Sequence, residues 1–145
     1  MRLTRKSRFA VIAMLELAMF RDRGSVTLAT IEQRHGLSIS YLEQLFARLR
    51  RRGLVVGTRG PRGGYRLARP PHSISIADVV SAVEEAGFAP TQRQRRLRVG
   101  PGGTSELLWT ELSYQLYEFL NGIDLAQLVN RRAPTLGPQH YDPST

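Results

Sequence analysis

Residues 38–67 constrain the fold more tightly than any other stretch. Tyr41, Leu42, Leu45, Phe46 and Leu49 recur at helical spacing. At about 100° per residue they form one apolar stripe. The opposite face carries Ser40, Glu43, Gln44, Ala47, Arg50 and Arg51. This pattern predicts a helix over roughly 38–52, opened by Ser38 or Ser40 and closed at Gly53. Leu54-Val55-Val56 and Tyr65-Arg66-Leu67 follow as two short strands. Between them, residues 57–64 hold four glycines and a proline, the composition of a hairpin tip, with Arg59 and Arg62 exposed on it. A phosphate-cradling glycine loop is the rival for this segment. Its G-x-x-x-x-G-K-[ST] spacing is missing, and the loop enters a strand rather than a helix.

Upstream, residues 5–20 read as a core helix, apolar nearly all round, broken at Gly24-Ser25. Thr27 to Arg34 reads as a short helix, closed by His35-Gly36-Leu37 as a turn. A short helix, a turn, an amphipathic helix and a hairpin together make a winged helix-turn-helix. Arg2, Arg5, Lys6 and Arg8 before an apolar run superficially resemble a signal peptide. Glu16 interrupts the run, Phe20-Arg21-Asp22 offers no small-residue cleavage site, and the run is too short to span a bilayer. The expected location is the cytoplasm, with no membrane partner.

Charge points to the partner. The chain carries +9, and it is uneven: residues 1–69 hold fifteen Lys+Arg against four Asp+Glu, whereas residues 70–145 hold six against eight. The basic half is the footprint expected for nucleic acid. All but one of the basic residues are arginine, whose planar fork suits phosphate and guanine edges. On the 38–52 helix, short polar side chains near the start with arginines behind suit a helix whose first turns meet base edges. The alternative is a solvated face, with Glu43 closing a Ser40-x-x-Glu43 capping box. An arginine on a narrow wing can enter a minor groove.

Pro70-Pro71 marks a boundary. Ser75 and Asp78 cap a helix bearing Ile76, Val79, Val80 and Val83. Residues 87–103 form a patternless loop with Arg93, Arg95, Arg96 and Arg98. A loop that long is usually functional or mobile. A long helix follows over Ser105 to Asn121, with Leu108, Leu112, Leu116 and Phe119 along one face, widened by Leu107, Trp109, Tyr117 and Leu120. One helix beyond a small domain cannot bury so much apolar surface alone, which predicts a partner helix from a second subunit; packing on its own first domain is the other possibility. Gly122 stops this helix. Asp124 and Gln127 cap a last one, stapled by Ile123 and Leu128, to about Asn130. The tail from Arg131, with Pro134, Pro138 and Pro143, is expected to be disordered.

Enzymatic chemistry finds no support. With no cysteine, the chain cannot form disulfides, thiolate zinc sites or a cysteine nucleophile. His35, His72 and His140 have no Ser or carboxylate at a motif spacing and read as surface histidines.

The segments MRLTRKSRFAVIAMLELA, LSISYLEQLFARLRRRGLV, RGPRGGYRLA, ISIADVVSAVEE, LWTEL and FLNGIDLAQLV make the chain resemble the IscR-type transcription regulators of the Rrf2 winged-helix family, over nearly residues 1–130. The resemblance implies a homodimer formed by the long helix. It places Ser40, Tyr41, Glu43 and Gln44 on the recognition helix and makes Arg59 the wing arginine. It also implies a [2Fe–2S] cluster held by three cysteines after the fourth helix and a nearby histidine. Here that loop has neither, and Glu106 lies near the histidine's place. Some members of the family lack the cluster and respond to a metabolite or a partner enzyme.

The expectation is a mainly α protein with a small β-hairpin, divided into a winged helix-turn-helix domain (1–70), a loop with dimerisation helices (71–130) and a tail (131–145). Its partner is double-stranded DNA with a near-palindromic operator, contacted by Arg2, Arg5, Ser38, Ser40, Tyr41, Glu43, Gln44, Arg50, Arg51, Arg59 and Arg62. Leu108, Leu112, Leu116 and Phe119 join two subunits. No cofactor or metal is expected; a small anionic effector or a partner protein is a further possible partner. The rival is an adaptor that docks an acidic partner through the basic loop 88–103.

Overall fold

The computed structural model describes residues 3–58, 63–84 and 105–132. Among them are six α-helices: α1 (Arg5–Met19), α2 (Leu28–His35), α3 (Ile39–Arg51), α4 (Ile76–Val83), α5 (Ser105–Asn121) and α6 (Leu125–Arg132). One hairpin, β1 (Val55–Gly57) and β2 (Tyr65–Leu67), completes the winged helix-turn-helix.

Local chemistry sets the helix ends. Thr4, Thr27 and Ser38 accept from backbone amides at the starts of α1, α2 and α3. Ser75 and Asp78 form a reciprocal capping box on α4, as their spacing predicts. Asp124 and Gln127 exchange two 2.8 Å bonds at the start of α6. Gly36 ends α2 at φ 71°, a conformation that costs little only without a Cβ.

α1 is the central post. Its Ala10, Ala13 and Met14 are fully buried, and it packs on α3, α4, α6 and β2. Around it Ile31, Leu42, Leu45, Phe46, Leu49, Ile74, Val79 and Leu125 close one core. Each such side chain contributes on the order of 1.5–3 kcal/mol by leaving water. The core runs across the Pro70-Pro71 boundary. The amide of Ile76 donates to Ile123, and that of Leu125 to Ile74, at 2.8 and 3.0 Å, so the α5–α6 corner is stitched to the start of α4.

Three sequence expectations need adjustment. β1 lies one residue later than 54–56, because Leu54 turns into the core and its amide bonds back to Leu49. The last helix passes Asn130 and includes Arg131 and Arg132, so the tail does not begin at 131. The rest of the tail, 133–145, lies outside the described residues, as does the loop 87–103. His35 is no free surface histidine: it is half-buried, and its Nε2 lies 2.9 Å from Glu16 Oε1.

Candidate nucleic-acid interface

α3 divides as its periodicity demands. Leu42, Leu45, Phe46 and Leu49 are buried, while Ser40, Glu43, Gln44, Arg50 and Arg51 are exposed. On a helical wheel those five fall within an arc of about 120°. Behind the arc, the helix is fastened. Arg48 donates to the Val83 carbonyl at 3.1 Å, and the Phe46 ring lies 4.6 Å from that of Tyr65 on the wing. The exposed face is therefore presented by a rigid element.

The cap of α3 decides between two readings of Glu43. Ser38 is the N-cap, and its Oγ accepts from the Tyr41 amide at 3.2 Å. Ser40 sits inside the first turn, so the Ser40–Glu43 capping box does not form. Among the described residues the Glu43 side chain has no hydrogen bond or ion pair, and it is the one acid on a face with Arg50 and Arg51. Ser38 is engaged as a cap, 3.5 Å from the Ser40 hydroxyl. Tyr41 is half-buried, its ring edge-on to Phe9 at 6.0 Å. Tyr41 thus braces α3 on α1.

The wing is anchored from two sides. Val55 pairs with Leu67, Val56 with Arg66 and Gly57 with Tyr65 in an antiparallel register. Val26, just before α2, exchanges two 2.8 Å backbone bonds with Tyr65 and forms an isolated antiparallel bridge beside the hairpin. That approach explains Gly64, where a Cβ would stand 2.4 Å from the Val26 carbonyl oxygen. Thr58 Oγ1 accepts from the Gly64 amide at 2.9 Å and closes the base of the loop. Arg59 and Arg62 lie beyond that base, outside the described residues, as does Arg2. Arg5 is exposed on the first turn of α1.

One component was not anticipated from sequence. An open groove of about 920 Å³ runs between the start of α2 and the wing, lined by Thr27, Leu28, Arg50, Thr58 and Tyr65 among others. The first amides of α2 have no acceptor within the helix, and the helix dipole is positive there. With Arg50 opposite, the groove offers a seat for a backbone phosphate. Thr27 as a cap, followed by a first turn without acids, was the only sequence signal for it.

α5 presents different chemistry. Tyr117 and Leu120 pack on the core, while Leu108, Trp109, Leu112 and Phe119 are 63%, 59%, 51% and 65% exposed and Leu116 is half-buried. Leu3, Trp109, Leu112, Ser113 and Leu116 line an apolar groove of about 230 Å³.

Comparison with known proteins gives a consistent result. The family described as "Rrf2: Iron-dependent Transcriptional regulator" matches residues 3–131. ORF2 of Azotobacter vinelandii, an HTH-type transcriptional regulator by name, is 51% identical over 132 residues, 90% of this chain and 80% of that one. The HTH-type transcriptional regulator IscR of Klebsiella pneumoniae is 47% identical over 133 residues, 91% of this chain and 82% of that one. Among solved structures, T. potens IscR superposes with a TM-score of 0.75 at 32% identity, covering 93% of this chain and 90% of that one.

Proposed function

The chain belongs to the Rrf2 family of transcriptional regulators, and from that premise we propose that it acts as a homodimer that reads a near-palindromic operator without an iron–sulfur cluster. That it is a DNA-binding regulator, IscR-like and not an enzyme, follows from the family itself. Among the described residues no helix is long and apolar enough to cross a membrane.

The observation that carries the reading is the exposed face of α3. Ser40, Glu43 and Gln44 can bond base edges, and Arg50 and Arg51 reach phosphates. Arg5, the groove at the start of α2 and the wing arginines Arg59 and Arg62 add backbone contacts, and Arg59 suits the minor groove. Two copies of this face, one duplex turn apart or a multiple of it, match a near-palindrome.

Dimerisation rests on α5. Its exposed Leu108, Leu112 and Phe119 and half-buried Leu116 adjoin Tyr117 and Leu120, so a single apolar stripe is half covered by the core and half left to solvent. A second subunit would cover the open half.

The donor set does not fit a cluster of the family's kind. Thiolates hold such clusters, and the chain has none. Among the described residues no group of three His, Cys, Asp or Glu could hold a metal ion. Residues 85–104 supply amides, hydroxyls and one carboxylate, Glu85, and the four arginines there have no lone pair to give. DNA binding is accordingly derived from the protein's own residues. The arginines of 88–103 suit a small anionic effector or an acidic partner protein.

Glu43 supplies the test. It can accept from a cytosine N4 amine and opposes a guanine acceptor edge. The Glu43→Ala variant should relax base preference at one position per half-site and leave the salt dependence of binding nearly unchanged. An equal loss of affinity on every sequence would remove Glu43 from the reading face.

A further inference from the structure

A carboxylate sits deep in the core helix, where nothing in the DNA-reading face accounts for it. Glu16, on α1, is 3% exposed. Its Oε1 lies 2.9 Å from His35 Nε2 and 3.3 Å from Arg34 Nε, and its Oε2 has no hydrogen-bond partner among the described residues. Burying a carboxylate is costly unless cations or donors compensate it, and a half-satisfied one leans on the partners it has. Both partners come from the last turn of α2.

Those partners stand at the turn of the helix-turn-helix. His35 is the last residue of α2, Gly36 turns the chain at φ 71°, Leu37 is buried, and Ser38 caps α3. Only two residues, Gly36 and Leu37, thus separate His35 from the cap of the recognition helix. Leu37 fixes how deep the turn sits, because apolar contact is non-directional. A hydrogen bond has direction and fixes rotation. Arg34 is held from a second side, its guanidinium 5.0 Å above the Phe20 ring at the end of α1.

We propose that Glu16 is a positioning residue for DNA recognition: from inside α1 it holds the helix-turn-helix turn through His35 and Arg34, and so sets the angle at which α3 offers Ser40, Glu43 and Gln44 to the bases. The proposal rests on the DNA-binding reading of α3. It makes Glu16 a determinant of specificity that touches no DNA. Phosphate contacts from Arg5, Arg50 and Arg51 tolerate a small rotation of α3, whereas base-edge hydrogen bonds do not.

The test compares affinity for the selected operator with affinity for unrelated duplex DNA, in the full chain and in four variants. Glu16→Gln and His35→Leu should each lower operator affinity about tenfold, the scale of one mismatched base pair, with unrelated DNA bound as before. His35→Gln keeps an N–H donor and should retain most of the specificity. The double variant Glu16→Gln/His35→Leu should lose little more than either alone, as residues acting as one unit do. Variants that melt at lower temperature yet keep the wild-type ratio of operator to unrelated binding would overturn the proposal. So would His35→Gln behaving like His35→Leu. Should Glu16→Gln not fold, the two His35 variants carry the same comparison. A wild-type chain with no preferred site would instead overturn the DNA-reading assignment on which the proposal rests.

Discussion

α3 and α5 are both amphipathic helices on the same core, and they meet solvent with opposite chemistry. In α3 every large aliphatic side chain of the stripe is absorbed by the core, and the outer face is polar and cationic around a single acid. In α5 the core absorbs Tyr117 and Leu120, while Leu108, Trp109, Leu112 and Phe119 remain open. A polar face on a rigid helix can exchange hydrogen bonds with a polar ligand at little cost. An apolar stripe left open costs free energy until something apolar covers it. On the function proposed above, the two faces take different partners, a nucleic acid for α3 and a second subunit for α5.

The strongest attack on this comparison charges the α5 stripe. Leu112→Asp or Leu116→Asp should yield monomers in sedimentation. Operator affinity should fall about a hundredfold or more as the two half-sites lose their linkage, while α3 itself is untouched. A dimer surviving both changes would make the α5 face an ordinary surface.

Next in size is the seat of the wing. Gly64→Ala places a methyl against the Val26 backbone, which has no flexible end to yield. The expected cost is about 1–3 kcal/mol in thermal or denaturant unfolding, together with weaker DNA binding and an unchanged dimer. An unperturbed melting temperature would show that Val26 and the wing are not locked.

The smallest effect concerns the N-terminal turn of α1, next to Arg5 and Lys6. Glu84, at the end of α4, accepts from the Thr4 amide at 3.2 Å and the Thr4 hydroxyl at 2.5 Å, and also from the Ser7 hydroxyl. Partial burial works against its charge, but the Ser7 and Thr4 hydrogen bonds and the nearby Lys6 outweigh it, so its carboxyl titrates below the usual glutamate range. With the folded-state value depressed, its stabilisation is complete above the unfolded value and is lost as pH falls through the folded one. Under about 1 kcal/mol is expected at neutral pH, the scale of a partly solvated pair. Glu84→Gln should therefore flatten the acid limb of the melting-temperature profile and leave dimer and operator specificity alone. An acid limb identical to wild type would place the clasp outside the stability balance.

Legibility followed sequence distance. The α3 stripe, the Ser75–Asp78 and Asp124–Gln127 boxes and the bounds of α5 are local patterns, and the structure repeats them. Ser38 and Ser40 were equivalent as caps on paper, since either can precede a helical run; the fold chose Ser38, which freed Glu43. What stayed hidden depends on distant partners. Gly64 looked like part of a hairpin tip, and its necessity comes from Val26. His35 looked like a surface turn residue until Glu16, 19 positions away, met it. Glu84 reaches back 80 positions to Thr4. Periodicity cannot encode such meetings, because they arise only when α1 becomes the post on which α2, α4 and the wing converge.

Selection of binding sites from random duplex DNA, in air and with an iron chelator present, tests the central claim most directly. The account predicts one short near-palindromic site whose half-sites are separated by a duplex turn or a multiple of it, recovered equally with and without chelator. Retention that is sensitive to salt but blind to sequence would contradict it, and so would a site recovered only when iron is supplied.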